Sequence, residues 1–118
     1  MPGLRILVRI AAWALATTIV VLSVVPADDR PESGLPHGLE HFAIYWATGI
    51  AFACGYNLTP TLLAIALVIF SGGVEIAQLF VPGRHARVSD FIIDASSCII
   101  GVLMVWIIVR VRASRAIR

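Results

Sequence analysis

Residues 61–94 read TLLAIALVIFSGGVEIAQLFVPGRHARVSDFIID, and this stretch decides the fold. It opens with an apolar run of about 20 residues, which is enough for a helix to cross a hydrocarbon core about 30 Å thick. A Pro-Gly turn with two arginines follows, and a second apolar run then begins. The pattern predicts two transmembrane helices joined by a short loop.

The whole chain shows the same pattern and predicts four transmembrane helices, over residues 6–25, 39–56, 61–81 and 91–109. Of its 118 residues, 59% are hydrophobic and 14% are charged, whereas about a quarter of the residues of a soluble domain are charged. Because the connections are short, successive helices should pack as antiparallel neighbours. The predicted fold class is all-α, an up-and-down four-helix transmembrane bundle that forms one membrane domain over residues 1–118.

The arginines predict the orientation in the membrane, because cytoplasmic flanks carry the excess of positive charge. We therefore expect a multi-pass protein of the cytoplasmic (inner) membrane with both termini in the cytoplasm. Two arginines of the third connection, Arg84 and Arg87, then lie outside, against the rule. No basic stripe suggests a nucleic-acid partner. The six arginines that crowd the two ends are Arg5, Arg9, Arg110, Arg112, Arg115 and Arg118.

The first apolar segment has a second interpretation, because a basic start and the small residues around Val25-Pro26-Ala27 also suit a cleaved signal peptide. Its apolar run is longer than the roughly 7 to 15 residues of a signal-peptide core. We therefore favour a retained helix.

Polar residues are concentrated where three of the predicted helices begin or end. In an up-and-down bundle these three helix ends meet at the outer face, so the polar residues should form one cluster. Glu75 is seven residues before Pro82, which places it about 10 Å from the loop in a continuous helix. A carboxylate at that depth needs a partner, and the candidates are Arg84, Arg87 and His41. The polar residues are Glu40, His41 and Tyr45 in the second helix, Glu75 and Gln78 in the third, and Asp90 and Asp94 in the fourth.

The cluster permits three interpretations. It is a binding site for an envelope component, with Arg84 and Arg87 suited to phosphate or carboxylate groups; or an enzyme site with buried acid and base groups; or a polar network that holds helices together. No metal or other cofactor is predicted, because the ligands would come from three helices without a metal-binding spacing. The candidate catalytic residues are His41, Glu75, Asp90 and Asp94, and the candidate substrate-binding residues are Glu40, Tyr45, Gln78, Arg84 and Arg87.

Small residues recur every four positions along the second segment, at Ala43, Ala47, Ala51 and Gly55. Such a ridge lets membrane helices approach closely. We expect a neighbouring helix to pack there.

The segment from His37 to Gly101 resembles the VanZ-like family, small bacterial membrane proteins that include a teicoplanin-resistance accessory protein. The resemblance implies a role in the cell envelope, points to tolerance of glycopeptides such as teicoplanin, and suggests a membrane lipid or lipid-linked envelope component as partner. It rests on His41-Phe42 with Tyr45, Glu75 with Gln78, the turn Pro82-Gly83-Arg84, and Asp90 with position 94 and Gly101.

This chain departs from the family pattern at four positions. It has His37-Gly38 where the family usually has Asp-Lys, Asp94 where the family usually has Asn, and Ser97 where it usually has Gly. The carboxyl group of Asp94 adds a second potential negative charge one turn below Asp90. We expect it to favour proton sharing or a bound cation there.

Overall fold

The computed structural model describes residues 1–31 and 33–116, which form four α-helices and contain no β-strand. A single 3-10 turn, Ala27–Asp29, lies in the first connection. The prediction of an all-α, four-helix fold is confirmed. The helices are α1 (Pro2–Val24), α2 (His37–Gly55), α3 (Pro60–Gln78) and α4 (Val88–Ala116).

Helix α3 begins and ends where local chemistry requires it. Pro60 occupies its first turn, and the Thr59 hydroxyl accepts a hydrogen bond of 3.3 Å from the backbone N–H of Leu62, which caps the helix. At the other end the chain tightens into turns after Gln78 and reverses at Gly83, whose φ is +73°. The helix is therefore shorter than the predicted 61–81, and Glu75 lies in its last turn rather than 10 Å inside it.

Helix α4 is longer than the predicted 91–109. Its 29 residues make a rod about 43 Å long at 1.5 Å per residue. This exceeds a hydrocarbon core of about 30 Å. The surplus is at the carboxyl end, where Arg110, Arg112 and Arg115 are exposed.

Length and apolar composition support membrane spans for α1, α3 and α4, but not for α2. The difference is due to the first turns of α2, where His37, Glu40 and His41 interrupt the apolar run. Helix α2 contacts all three other helices. Polar groups on such a helix can face protein rather than lipid, so α2 can lie among spanning helices without being apolar itself.

Contacts between helix ends establish the up-and-down arrangement. Arg9, near the start of α1, donates a hydrogen bond of 2.8 Å to the carbonyl of Gly55 at the end of α2, so these helices are antiparallel. Helices α2 and α4 are parallel, since His41 pairs with Asp94 and the Cys98 thiol donates to the Tyr45 carbonyl at 3.4 Å. The end of α1, the start of α2, the end of α3 and the start of α4 thus lie together, and we call this the polar end. Which side of the membrane it faces stays a prediction.

Two glycines set the distance between α2 and α4. A methyl group added at Gly101 would lie 2.5 Å from the Trp46 carbonyl oxygen, and one at Gly49 would overlap the Cys98 carbonyl. The predicted ridge does not make this contact. Gly55 of that ridge lies against Arg9 of α1, and Ala43 lines a cavity described below.

We expect Gly49→Ala to destabilise the fold by about 1–3 kcal/mol, because the added methyl group forces two helix backbones apart. Gly73→Ala is the matched control, since nothing lies within 4 Å of a methyl group at that position of α3. Unfolding by SDS in mixed micelles, followed by circular dichroism, measures both variants. Equal stabilities for the two variants would contradict the close contact.

Candidate functional site

The predicted site residues that are buried at the polar end come from α2, α3 and α4. Asp94 is 1% exposed, and Glu75 lies within electrostatic range of Asp90, Asp94 and His41. The structure thus brings together the acids of α3 and α4 and the histidine of α2, as the sequence predicted. The buried set comprises His41, Tyr45, Glu75, Gln78 and Asp94.

Two His–Asp pairs link α2 to α4, one helical turn apart. The His41 Nδ1–H donates a hydrogen bond of 2.8 Å to Oδ1 of Asp94, and His37 Nε2 lies 3.4 Å from Oδ2 of Asp90. The imidazole rings are in contact, with centroids 4.3 Å apart and planes tilted by 54°. His37 is 46% exposed, whereas the His41–Asp94 pair is buried. The pairs therefore form a ladder that descends from solvent into the protein.

Two buried carboxylate oxygens have no hydrogen-bond partner among the described residues, Oε2 of Glu75 and Oδ2 of Asp94. A buried unpaired carboxylate oxygen costs free energy. Natural proteins carry few such groups, and each calls for an explanation. These two oxygens mark the cluster as a candidate functional site.

Glu75 and the two loop arginines are connected differently from the prediction. The other Glu75 oxygen, Oε1, accepts a hydrogen bond from the backbone N–H of Arg87 rather than from a guanidinium group. Arg84 donates instead to the carbonyls of Leu22, at 2.6 Å, and Val25, at 3.1 Å. These bonds satisfy carbonyls that the end of a helix leaves without partners, so Arg84 fastens the third connection to α1.

The first connection also contributes residues that the sequence did not single out. Arg30 forms an ion pair of 2.7 Å with Glu40 and lies 3.4 Å from Nδ1 of His37, while the Ser33 hydroxyl donates to Glu40. For His37 the sequence did offer a signal, because this residue is one helical turn before His41 and therefore shares its helix face. Nothing in the sequence placed Arg30 or Ser33 beside Glu40.

Besides a cavity of about 400 Å³ along the first connection, two cavities open at the polar end. The first, which we call the basic hollow, has a volume of about 330 Å³, and three guanidinium groups but one carboxylate lie in its described wall. Burial lowers the pKa of Arg84, and the nearby charge of Arg30 adds to this, but a guanidinium stays protonated in proteins. The described wall of the basic hollow therefore carries more positive than negative charge. The ionisable residues that line it are Arg30, His37, Arg84, His85, Arg87 and Asp90.

The second cavity, which we call the apolar groove, has a volume of about 540 Å³ and lies between α1 and α2. Ile19, Leu22 and Ile44 form much of its wall, and His41 and Tyr45 also line it. Glu75 and Asp94 line neither cavity, so His41 is the member of the buried acid–base cluster that faces open space.

No group of three or more His, Cys, Asp or Glu side chains in residues 1–31 and 33–116 is arranged to hold a metal ion. Each His–Asp pair brings together two side chains. Among the described residues, neither pair has a third side chain placed to bind the same ion.

A bundle of apolar helices with ionisable side chains gathered at one end identifies the chain as a helical membrane protein. The chain belongs to the VanZ/LLP1 family, whose sequence model matches residues 35–109. This confirms the predicted family. The match covers α2, α3 and α4 but not α1. No curated protein and no solved structure matches the chain.

The ladder predicts that two histidines one turn apart contribute very differently to stability. We expect His41→Ala to cost about 3–5 kcal/mol, because it leaves the buried Asp94 carboxylate without the hydrogen bond from His41. His37→Ala should cost less than about 1 kcal/mol, because that pair is long and partly exposed. Unfolding in mixed micelles measures both variants.

Asp94→Asn supplies the control for this prediction. Added to His41→Ala, it removes the stranded charge and should recover part of the lost stability. Equal costs for the two histidines, or no recovery in the double variant, would contradict a buried pair that depends on charge.

Proposed function

We propose that this protein binds an anionic component of the cell envelope at the outer face of the cytoplasmic membrane, and that this binding contributes to tolerance of glycopeptides such as teicoplanin. The proposal takes both termini to be cytoplasmic, in accord with the arginines at the chain ends. The polar end then faces outward, where envelope precursors and the antibiotic are encountered.

One observation carries the proposal, the basic hollow. Arg30, Arg84 and Arg87 converge there from two different connections. Guanidinium groups present paired N–H donors that match phosphate and carboxylate oxygens, and basic pockets among membrane helices bind anionic headgroups. A phosphate group suits this arrangement best, because its several oxygens can accept hydrogen bonds from the three guanidinium groups around it.

The arginines have different tasks in this function. Arg84 is held by the carbonyls of α1, and Arg30 is shared with Glu40. Both guanidinium groups have further N–H donors that these bonds do not use, because a guanidinium has five. Arg87 contributes its backbone N–H to Glu75, which leaves its side chain available to an anion. We therefore assign Arg87 the largest part in anion binding.

Arg87→Gln should weaken binding of inorganic pyrophosphate and hexyl phosphate by about 10- to 100-fold, the equivalent of one charge-assisted hydrogen bond of about 1.5–3 kcal/mol. Isothermal titration calorimetry of the protein in a neutral maltoside detergent measures this. Hexanol, which lacks the phosphate, should not bind.

Arg115→Gln is the matched control, because Arg115 lies in the last turn of α4, at the opposite end of the molecule. It removes the same charge and should leave the affinity unchanged. If both variants bind pyrophosphate as tightly as the unaltered protein, the basic hollow is not the anion site.

A second candidate function is acid–base catalysis on the same class of ligand. It is favoured by the buried His41–Asp94 pair, in which a carboxylate orients an imidazole that faces a cavity. In such a pair the histidine exchanges the proton and the acid holds its orientation and tautomer. His41 would then be the general acid or base.

Experiments in cells distinguish anion binding from acid–base catalysis. Expression of the protein in a teicoplanin-susceptible bacterium should raise the inhibitory concentration of the drug, and Arg87→Gln should abolish the increase at an equal protein level, because the anion is no longer held. Binding alone leaves lipid-linked precursors unchanged in a mass-spectrometric lipid profile. An altered precursor that returns to normal in Asp94→Asn would instead establish catalysis.

A further inference from the structure

The apolar groove is a feature of the polar end that anion binding does not use. Its volume of about 540 Å³ falls within the range of roughly 300–1,000 Å³ that is typical of ligand pockets. Its wall is mainly apolar, but the charged side chains of Arg30, Glu40 and Arg84 also line it. This combination fits a molecule with one charged end and one hydrocarbon end.

We propose that the apolar groove holds the hydrocarbon chain of a lipid phosphate whose headgroup occupies the basic hollow. This inference rests on the proposed function and deepens it, because it selects a membrane-anchored phosphate over a water-soluble one. The charge of the hollow complements the headgroup, and the groove complements the chain.

The two cavities are adjacent. Arg30, Gln78 and Arg84 line both of them, so a phosphate bound by these arginines is already at the mouth of the groove. A chain attached to that phosphate has an apolar path along Leu22 of α1 and Ile44 of α2. Water in this path would be held against hydrocarbon side chains, which is unfavourable.

Arg84, which lines the basic hollow, also positions part of the wall of the apolar groove. Arg84 donates to the carbonyls of Leu22 and Val25, and Leu22 itself lines the groove. The position of the α1 wall is therefore tied to a residue of the basic hollow. Helix α1, which forms this wall, lies outside the segment that matches the family, residues 35–109.

Photo-crosslinking tests the inference. The probe is hexadecyl phosphate with a diazirine in the middle of its chain, added to the full-length protein in neutral maltoside micelles. We expect crosslinks in residues 19–23 and 43–45, removed by excess unlabelled hexadecyl phosphate but not by hexadecanol. Peptide mapping by mass spectrometry locates the labels.

Ala43→Trp fills the groove from an exposed position on α2 and should reduce these crosslinks by roughly tenfold, because the indole takes the space of the chain. Leu22→Trp does the same from α1 if the first variant folds poorly. Val21→Trp is the matched control, because Val21 is 51% exposed on α1 and lines neither cavity. It should leave the crosslinks unchanged.

The outcomes distinguish the two proposals. If pyrophosphate binds but the diazirine labels exposed helix faces without preference, the hollow binds anions and the groove is not a chain site, which overturns this inference alone. If neither pyrophosphate nor hexadecyl phosphate binds, the anion site itself is wrong, and the inference is overturned with it.

Discussion

The close parallel packing of α2 against α4 is the constraint on which the rest of the structure depends. Gly49 and Gly101 allow the two backbones to touch, and this contact fixes which side chains face each other. His37 then meets Asp90, His41 meets Asp94, and Tyr45 meets Cys98. The offset between partners is the same in all three pairs, so one packing contact sets the geometry of the whole ladder.

The same packing explains how α2 can be the least apolar helix of the bundle. A charged or polar side chain that faces lipid costs several kcal/mol, but one that faces protein partners costs much less. Helix α2 contacts every other helix, and its ionisable residues are paired with α4 or with the first connection. The polarity that lowers its hydropathy is therefore a consequence of its position at the site.

The sequence predicted most of the fold, because long apolar runs and short connections leave few alternatives. It also predicted which polar residues meet, since helices of similar length in an up-and-down bundle must bring their ends together. It was wrong about the end of α3, where the backbone tightens into turns after Gln78 and not at Pro82. Helical periodicity cannot show where a run of apolar residues stops being a helix.

The partners of individual side chains were harder to predict, because they depend on the paths of the connections. The sequence suggested the side chain of Arg84, Arg87 or His41 as the partner of Glu75, but the backbone N–H of Arg87 donates to it, and no pattern of side chains reports a backbone donor. Likewise the ridge from Ala43 to Gly55 had the spacing of a helix interface, yet Gly49 and Gly101 make the tightest contact. Spacing identifies a face, but only the crossing of two helices selects the residues that touch.

The arrangement of charge at the polar end argues against a purely structural role. A buried ion pair contributes to stability only when further hydrogen bonds satisfy its remaining acceptors, and otherwise an apolar replacement is as stable. A network that served stability alone would therefore satisfy its buried acceptors. Here Glu75 and Asp94 each keep one oxygen without a partner among the described residues, while the arginines lie in the wall of an adjoining cavity. Gln78, which is buried and lines both cavities, lies one turn after Glu75 on α3. Charges of opposite sign are thus held near each other without full neutralisation among the described residues.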